Sequence, residues 1–151
     1  MATKTCLLID PMHESIFSLL ASISLLAEDV SHESIQHIQE KIKQKNVVGI
    51  FVRTRTRVDE QLLGAQPTIQ FVARAGAGLD NLDLPFLEKH NIKVIHASEG
   101  NRDAVGEYTI GALLSLMRNL PKADAEVRQK IWQREENRGM ELAGKTVGII
   151  G

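Results

Sequence analysis

The residues of this 151-residue chain best placed to do chemistry lie in Gln70-Phe71-Val72-Ala73-Arg74-Ala75-Gly76-Ala77-Gly78-Leu79-Asp80-Asn81-Leu82-Asp83. An apolar run breaks at two glycines one residue apart, and a helix-start signal follows, with Asp80 or Asp83 as the cap ahead of Leu84 and Phe86-Leu87. A buried parallel strand, a glycine turn and a helix start make the corner at which open α/β sheets bind small anions. Gly76 and Gly78 let a ligand approach the backbone, and the amides of Ala77 and Gly78 suit a carboxylate or a phosphate. An isolated Gly-x-Gly is a weak signal, and the same residues also read as a tight turn and nothing more. A second group, Arg53-Thr54-Arg55-Thr56-Arg57, follows another apolar run. An arginine at a strand's carboxyl end holds a carboxylate or phosphate through paired N–H bonds. The alternative is a solvated basic loop, or one salt-bridged to Asp59 and Glu60, and Arg57 reads that way.

These residues need a scaffold, and the surrounding pattern supplies one. Thr5-Cys6-Leu7-Leu8-Ile9 is a short apolar run ended by Asp10-Pro11, a buried first strand. Ile16, Leu19, Leu20 and Ile23 recur at helical spacing, and Ala27 to Val30 reads as a second strand. Ser31 offers a cap for a helix carrying Ile35, Ile38 and Ile42, with Lys41, Lys43 and Lys45 in a last turn that suits the helix dipole. Asn46 to Val52 is a third strand, apolar enough to be covered on both faces. Asp59 caps a short helix closed by Gly64 and Pro67; the fourth strand is Thr68 to Ala73, and Leu84 to His90 is helical before a fifth strand, Ile92 to Ile95. Strands alternating with helices at these lengths mean α/β architecture, a parallel sheet wrapped by helices. Cys6, Val48, Ile50, Val72 and Val94 are its expected core.

The character changes at Ser98-Glu99-Gly100-Asn101. A long helix, Ala104 to Asn119, ends at Pro121, and a more polar helix, Lys122 to Trp132, follows with Trp132 packing it down. Gly144-Lys145-Thr146-Val147-Gly148-Ile149-Ile150-Gly151 reads as a turn and a new apolar strand, the start of a second sheet. Apolar content of 43% and charged content of 25% are ordinary for a soluble globular protein. A net charge of −1 gives no electrostatic case for nucleic acid or an anionic membrane. No apolar run reaches membrane-spanning length. The lone cysteine, Cys6, cannot form an internal disulfide and fits a cytoplasmic home. His13, His32, His37, His90 and His96 lack ligand spacing, so no metal site is expected.

Four segments, in order, resemble the NAD-dependent D-2-hydroxyacid dehydrogenase family, and most of all its D-phosphoglycerate dehydrogenase branch. They are Val52 to Val58; Ala73-Arg74-Ala75-Gly76-Ala77-Gly78-Leu79-Asp80-Asn81-Leu82-Asp83; Gly100-Asn101 through Val105-Gly106-Glu107; and Glu141 to Gly151. The resemblance implies a flavodoxin-like substrate domain over 1–98. Residues 99–151 would hold the interdomain helices and the first strand of a Rossmann cofactor domain. It implies a small 2-hydroxy or 2-oxo acid as substrate, NAD as cofactor, and a homodimer using the long helix. Arg53 and Thr54 match an arginine followed by a small hydroxylic residue. Ala77 and Gly78 match the pair whose amides receive the substrate carboxylate, Ala77 also lying near the nicotinamide, and Asn101 matches a residue facing the cleft. Gly151 matches the first glycine of the dinucleotide loop. The family's catalytic arginine, glutamate and histidine would lie beyond this sequence, so none of its residues is assigned a catalytic role, and the 151 residues alone are expected to bind nicotinamide negligibly.

Some residues depart from the family's pattern. Arg55 stands where a small residue is common; it adds charge for a phosphorylated substrate or faces solvent. Arg102-Asp103-Ala104 replaces a Ser/Thr-rich stretch, and Glu107 reads as helix-dipole stabilisation. A relative that senses NAD(H) without turnover, of the co-repressor type, is the rival of another class. A free-standing receiver or flavin-binding domain is weaker, because Asp10 lacks the acidic neighbours a receiver carries at its first strand.

Overall fold

A computed structural model describes residues 4–44, 46–65 and 67–150. The chain divides between Gly100 and Asn101 into two compact units. In the first, β1 (Lys4–Leu8), β2 (Leu25–Asp29), β3 (Val47–Val52), β4 (Phe71–Arg74) and β5 (Lys93–His96) form one sheet in the order β2-β1-β3-β4-β5. Every pairing is parallel. Helices α1 (Ser15–Ser22), α2 (Ile35–Ile42), α3 (Glu60–Leu63) and α4 (Leu84–Lys89) make the connections. This is the parallel, flavodoxin-like sheet the sequence implies.

Alternation along the strands sends side chains to two faces. On one face Leu7, Ile50, Val52 and Val72 meet Ile38 and Ile42 of α2, Leu62 and Leu63 of α3, and Phe86 and Leu87 of α4. On the other, Cys6, Leu8 and Val48 meet Leu20 of α1, with Phe51 and Phe71 half-buried beside them. Within β3, Gly49 leaves the space that the Phe71 ring fills, and a Cβ there would strike the ring tip. Cys6, Val48, Ile50 and Val72 are buried, whereas Val94, near the sheet edge on β5, is half-buried. Burial pushes the Cys6 thiol up to about 11, so it is neutral and inert at ordinary pH.

Several element ends differ from the sequence expectation. The second strand starts two residues earlier, and the fourth occupies Phe71–Arg74, with Arg74 as its last residue. The cap of α2 is Ser34, whose hydroxyl accepts from the His37 N–H at 3.3 Å. Ser31 is instead held in a turn by its N–H bond to the Asp29 carboxylate at 2.9 Å. Asp59 caps α3 and Asp83 caps α4, accepting from Leu62 N–H and Phe86 N–H at 3.2 and 3.1 Å. Lys41 in the last turn of α2 reaches Glu28 and Glu33 at 2.6 and 2.9 Å, and Lys45 lies outside the described residues.

The second unit holds α5 (Arg102–Met117) and α6 (Leu120–Arg128). Asn119 takes a left-handed conformation, φ 53°, which lets Pro121 sit in the first turn of α6. Neither helix has a buried residue. Two expectations are corrected here. Trp132 is 79% exposed rather than packed, because α6 ends at Arg128 and the chain leaves the helix before reaching it. Residues 147–150 form no strand, and Val147, Ile149 and Ile150 are exposed. An extended segment becomes a strand only by pairing, and no described strand of this unit offers it an edge.

Candidate functional site

Parallel strands deliver their loops to one edge, and the loops after β1, β3 and β4 carry the polar residues of interest. The loop after β3 begins at Arg53 and is held by Asp10, which follows β1 and is 1% exposed. The Asp10 carboxylate accepts from Arg53 N–H at 2.7 Å, Thr56 N–H at 3.4 Å and the Thr56 hydroxyl at 2.6 Å. The Arg55 guanidinium lies 3.5 Å away. Burial alone would raise the Asp10 carboxyl. The hydrogen bonds from Thr56 and Arg53 and the Arg55 charge outweigh it and hold the group below its ordinary value.

With the Arg53 and Thr56 N–H groups and the Thr56 hydroxyl bound inward, the first two side chains of the loop face out. Arg53 and Thr54 are exposed, and the Arg53 side chain has no acceptor among the described residues. Arg55 donates to the Ser31 carbonyl at 3.0 Å, and Arg57 pairs with Asp59 at 3.1 Å. Both therefore have local partners, Arg57 as expected of a solvated basic loop. A cavity of ≈ 460 Å³ opens beside this loop, lined in part by Ser31, Glu33, Arg55 and Arg57.

The loop after β4 is built on a residue whose part the sequence did not disclose. Arg74 ends the strand with its guanidinium buried, the residue 6% exposed. Its Nε donates to Asn81 Oδ1 at 2.9 Å, and its Nη2 lies 3.6 Å from the exposed Asp80. A Cβ on Gly76 would sit 2.6 Å from Arg74 Nη1, and one on Gly78 would sit 2.8 Å from Asp80 Oδ1. Gly76 is thus required by close approach to a buried guanidinium, whereas at Gly78 the exposed Asp80 side chain could give way. The signal was present in the sequence, since a cation ending an otherwise buried strand must have partners.

The top of this loop is open. Ala77 and Gly78 are exposed, and their N–H groups donate to no protein acceptor among the described residues. The loop is tethered from β5, where Ala97 N–H donates to the carbonyls of Arg74 and Gly76 at 3.3 and 3.2 Å. His96 Nδ1 is 3.0 Å from the Ala77 carbonyl and must be the protonated nitrogen, because a carbonyl only accepts. Two free amides above a buried guanidinium are the donors and the charge that an anion would need, in low-dielectric surroundings.

Of the five sequence-derived binding residues, Arg53, Thr54, Ala77 and Gly78 lie at the carboxyl edge of adjacent strands β3 and β4. Asn101 belongs to the second unit, immediately before α5, where its side chain makes no capping bond. For a nicotinamide cofactor, the described residues offer the exposed N–H of Ala77 as a polar contact. The pyrophosphate requires a glycine-rich loop leading into a helix, and Gly151 lies outside the described residues. No cluster of three metal-ligating side chains is found among the described residues.

Fold and edge together define an open α/β domain with exposed polar loops at the carboxyl ends of its central strands. The chain belongs to the D-isomer specific 2-hydroxyacid dehydrogenase family, whose catalytic-domain model matches residues 6–146. It is 36% identical over 141 residues to a D-3-phosphoglycerate dehydrogenase of Bacillus subtilis, covering 84% of this chain and 27% of the relative. It is 32% identical over 145 residues to the enzyme of that name from Methanocaldococcus jannaschii, covering 96% and 27%. The chain therefore spans about a quarter of the length of these relatives. Among solved structures, a glyoxylate reductase from Paecilomyes thermophila superimposes with TM-score 0.80 at 19% identity, covering 96% of this chain and 47% of that one. A D-lactate dehydrogenase from Aquifex aeolicus, complexed with NAD and lactic acid, gives 0.73 at 22%, covering 92% and 41%. At these identities the two structures establish the fold.

Proposed function

We propose that this chain is the substrate-gripping portion of an NAD-dependent D-2-hydroxyacid dehydrogenase acting on a small 2-hydroxy or 2-oxo acid of the 3-phosphoglycerate type. The observation that carries the reading is the pair of free, exposed amides at Ala77 and Gly78 above the buried Arg74 guanidinium. They receive the substrate carboxylate, and the uncommitted Arg53 guanidinium closes on it from the neighbouring loop. Thr54 adds a hydroxyl and Arg55 lends charge toward a phosphate, and Asn101 is a substrate contact on the strength of the resemblance alone. The nicotinamide cofactor supplies hydride exchange, with Ala77 at its reactive end and Gly151 in its phosphate loop; this chain binds and orients the acid. The relatives named D-3-phosphoglycerate dehydrogenase support the substrate class. A cytoplasmic homodimer is part of this reading, supported by the apolar surface of α5, where Val105, Tyr108, Ile110 and Leu116 are exposed.

The test is a titration of the isotopically labelled chain followed by amide NMR, comparing D-3-phosphoglycerate with glycerol 3-phosphate, which lacks the carboxylate. Shifts centred on Ala77 and Gly78 are expected with the acid and absent with the alcohol. Equal shifts with both compounds would mean that the loop takes phosphate rather than carboxylate, and the assignment would fall.

A further inference from the structure

The two anion-binding loops are joined by one buried side chain. Asn81, 8% exposed, donates from Nδ2 to the Arg53 carbonyl at 2.9 Å and to the Thr56 carbonyl at 2.7 Å. Its Oδ1 accepts from Arg74 Nε at 2.9 Å. Its own backbone carbonyl accepts from Val58 N–H at 2.8 Å, where Val58 and Leu82 form an isolated parallel bridge. The orientation of the carboxamide is fixed by chemistry: carbonyls only accept and a guanidinium only donates, so oxygen and nitrogen cannot be exchanged.

We infer that Asn81 is a positioning residue, setting the separation of the two loops so that a substrate carboxylate meets Arg53 and the Ala77 and Gly78 amides at once. The inference rests on the substrate reading above. The carboxamide faces the β3 loop with its donor end and the β4 loop with its acceptor end. Through Arg74 it also reaches the floor beneath Gly76, where the guanidinium approaches a would-be Cβ to 2.6 Å. Asp10 holds the same β3 loop from its other side through N–H and hydroxyl groups, leaving the Arg53 and Thr56 carbonyls to Asn81. No other residue type does all of this at that size. An aspartate would keep the Arg74 partner but aim a carboxylate oxygen at two carbonyls, and leucine would leave all three groups without a partner.

The experiment uses the labelled 151-residue chain, with D-3-phosphoglycerate as the probe and Asn81→Ala and Asn81→Asp as variants. In the unsubstituted chain the Asn81 side-chain amide signals should move together with the Ala77 and Gly78 backbone amides and report the same dissociation constant. Both variants should bind the probe about ten- to a hundred-fold more weakly, as when a supporting shell is lost around a ligand site. The Asp variant, which retains the Arg74 bond, should keep the Gly76–Gly78 amide positions and lose the Arg53 response. If Ala77 and Gly78 respond while the Asn81 signals stay still, or if a folded variant binds as the unsubstituted chain does, the inference is overturned and the substrate reading stands. If Ala77 and Gly78 do not respond in the unsubstituted chain, both fall. Should either variant fail to fold, the Asn81 signals of the unsubstituted chain decide the matter.

Discussion

The two units of this chain are both rich in regular structure, yet they are held by different means. The first buries Leu7, Ile50, Val52, Val72 and Leu87 to 1% exposure or less in a continuous core. The second, with the longest helix of the described residues, buries nothing in either helix. A helix satisfies its own backbone, so α5 can form on local hydrogen bonds alone. A parallel sheet cannot, because every strand depends on a neighbour brought from elsewhere in the chain. Regular structure and stability are therefore separate properties here, and the glycine loop is carried by the unit that possesses both.

The sharpest way to break this comparison is a pair of truncations. Ile50→Ala, at a position 0% exposed in the central strand, should cost about 2–5 kcal/mol in urea unfolding. Ile110→Ala on α5, at 52% exposure, should stay within about 0.5 kcal/mol. Similar costs at both positions would show that the second unit contributes to the stability measured for the first.

Next in size is the buried carboxylate that organises the β3 loop. Asp10→Ala removes the acceptor for two N–H groups and a hydroxyl, and should cost about 3 kcal/mol at neutral pH. The folded carboxyl titrates below its unfolded value of about 3.9, so the unfolded chain takes up the proton first. The stabilisation is therefore complete above that value and is lost as pH falls through the lower folded one. Urea midpoints between pH 6 and pH 2.5 should fall more steeply for the unsubstituted chain than for Asp10→Asn. Parallel curves would assign the acid sensitivity to other carboxylates, among them Asp29, which bonds to Ser31 hold low.

The smallest effect tests the less covered face of the sheet. Gly49→Ala places a Cβ against the tip of the Phe71 ring, which is half-buried and able to swing outward. The expected cost is about 1 kcal/mol, near the lower end for overpacking. A cost several times larger in thermal unfolding would mean that the Phe71 ring is fixed as firmly as the opposite core.

The strand pattern was legible in the sequence because buried parallel strands are apolar runs between turn residues; Asp59 announced its helix by type and position, and Asp83 was one of two caps on offer for the next. The glycine loop after β4 was legible as an open turn for the same local reasons. The network beneath it was not. Asn81 meets Arg53 and Thr56 across 28 and 25 residues, a relation set by which strands adjoin and absent from any local pattern. Arg74 was read as part of a motif, although its place at the end of a buried strand asked for a partner. Ser31 and Ser34 are equally good caps by type, and the turn bonded to Asp29 decided between them. Trp132 and residues 147–150 misled because apolar character predicts burial only where a covering surface exists.

Cys6 lies at 0% exposure in β1, between β2 and β3, with a thiol too weakly acidic to react where it sits. It is also the one sulfhydryl in 151 residues. A thiol-specific reagent can therefore reach this protein's cysteine only after the central strands part, so its labelling rate is a clock for the opening of the sheet itself. Loosening of the loops at the carboxyl edge that leaves β1 covered would not advance that clock. Sulfur chemistry and amide chemistry thus divide the molecule between them: one counts the rare events in which the whole sheet opens, the other the frequent ones at the loops along its carboxyl edge.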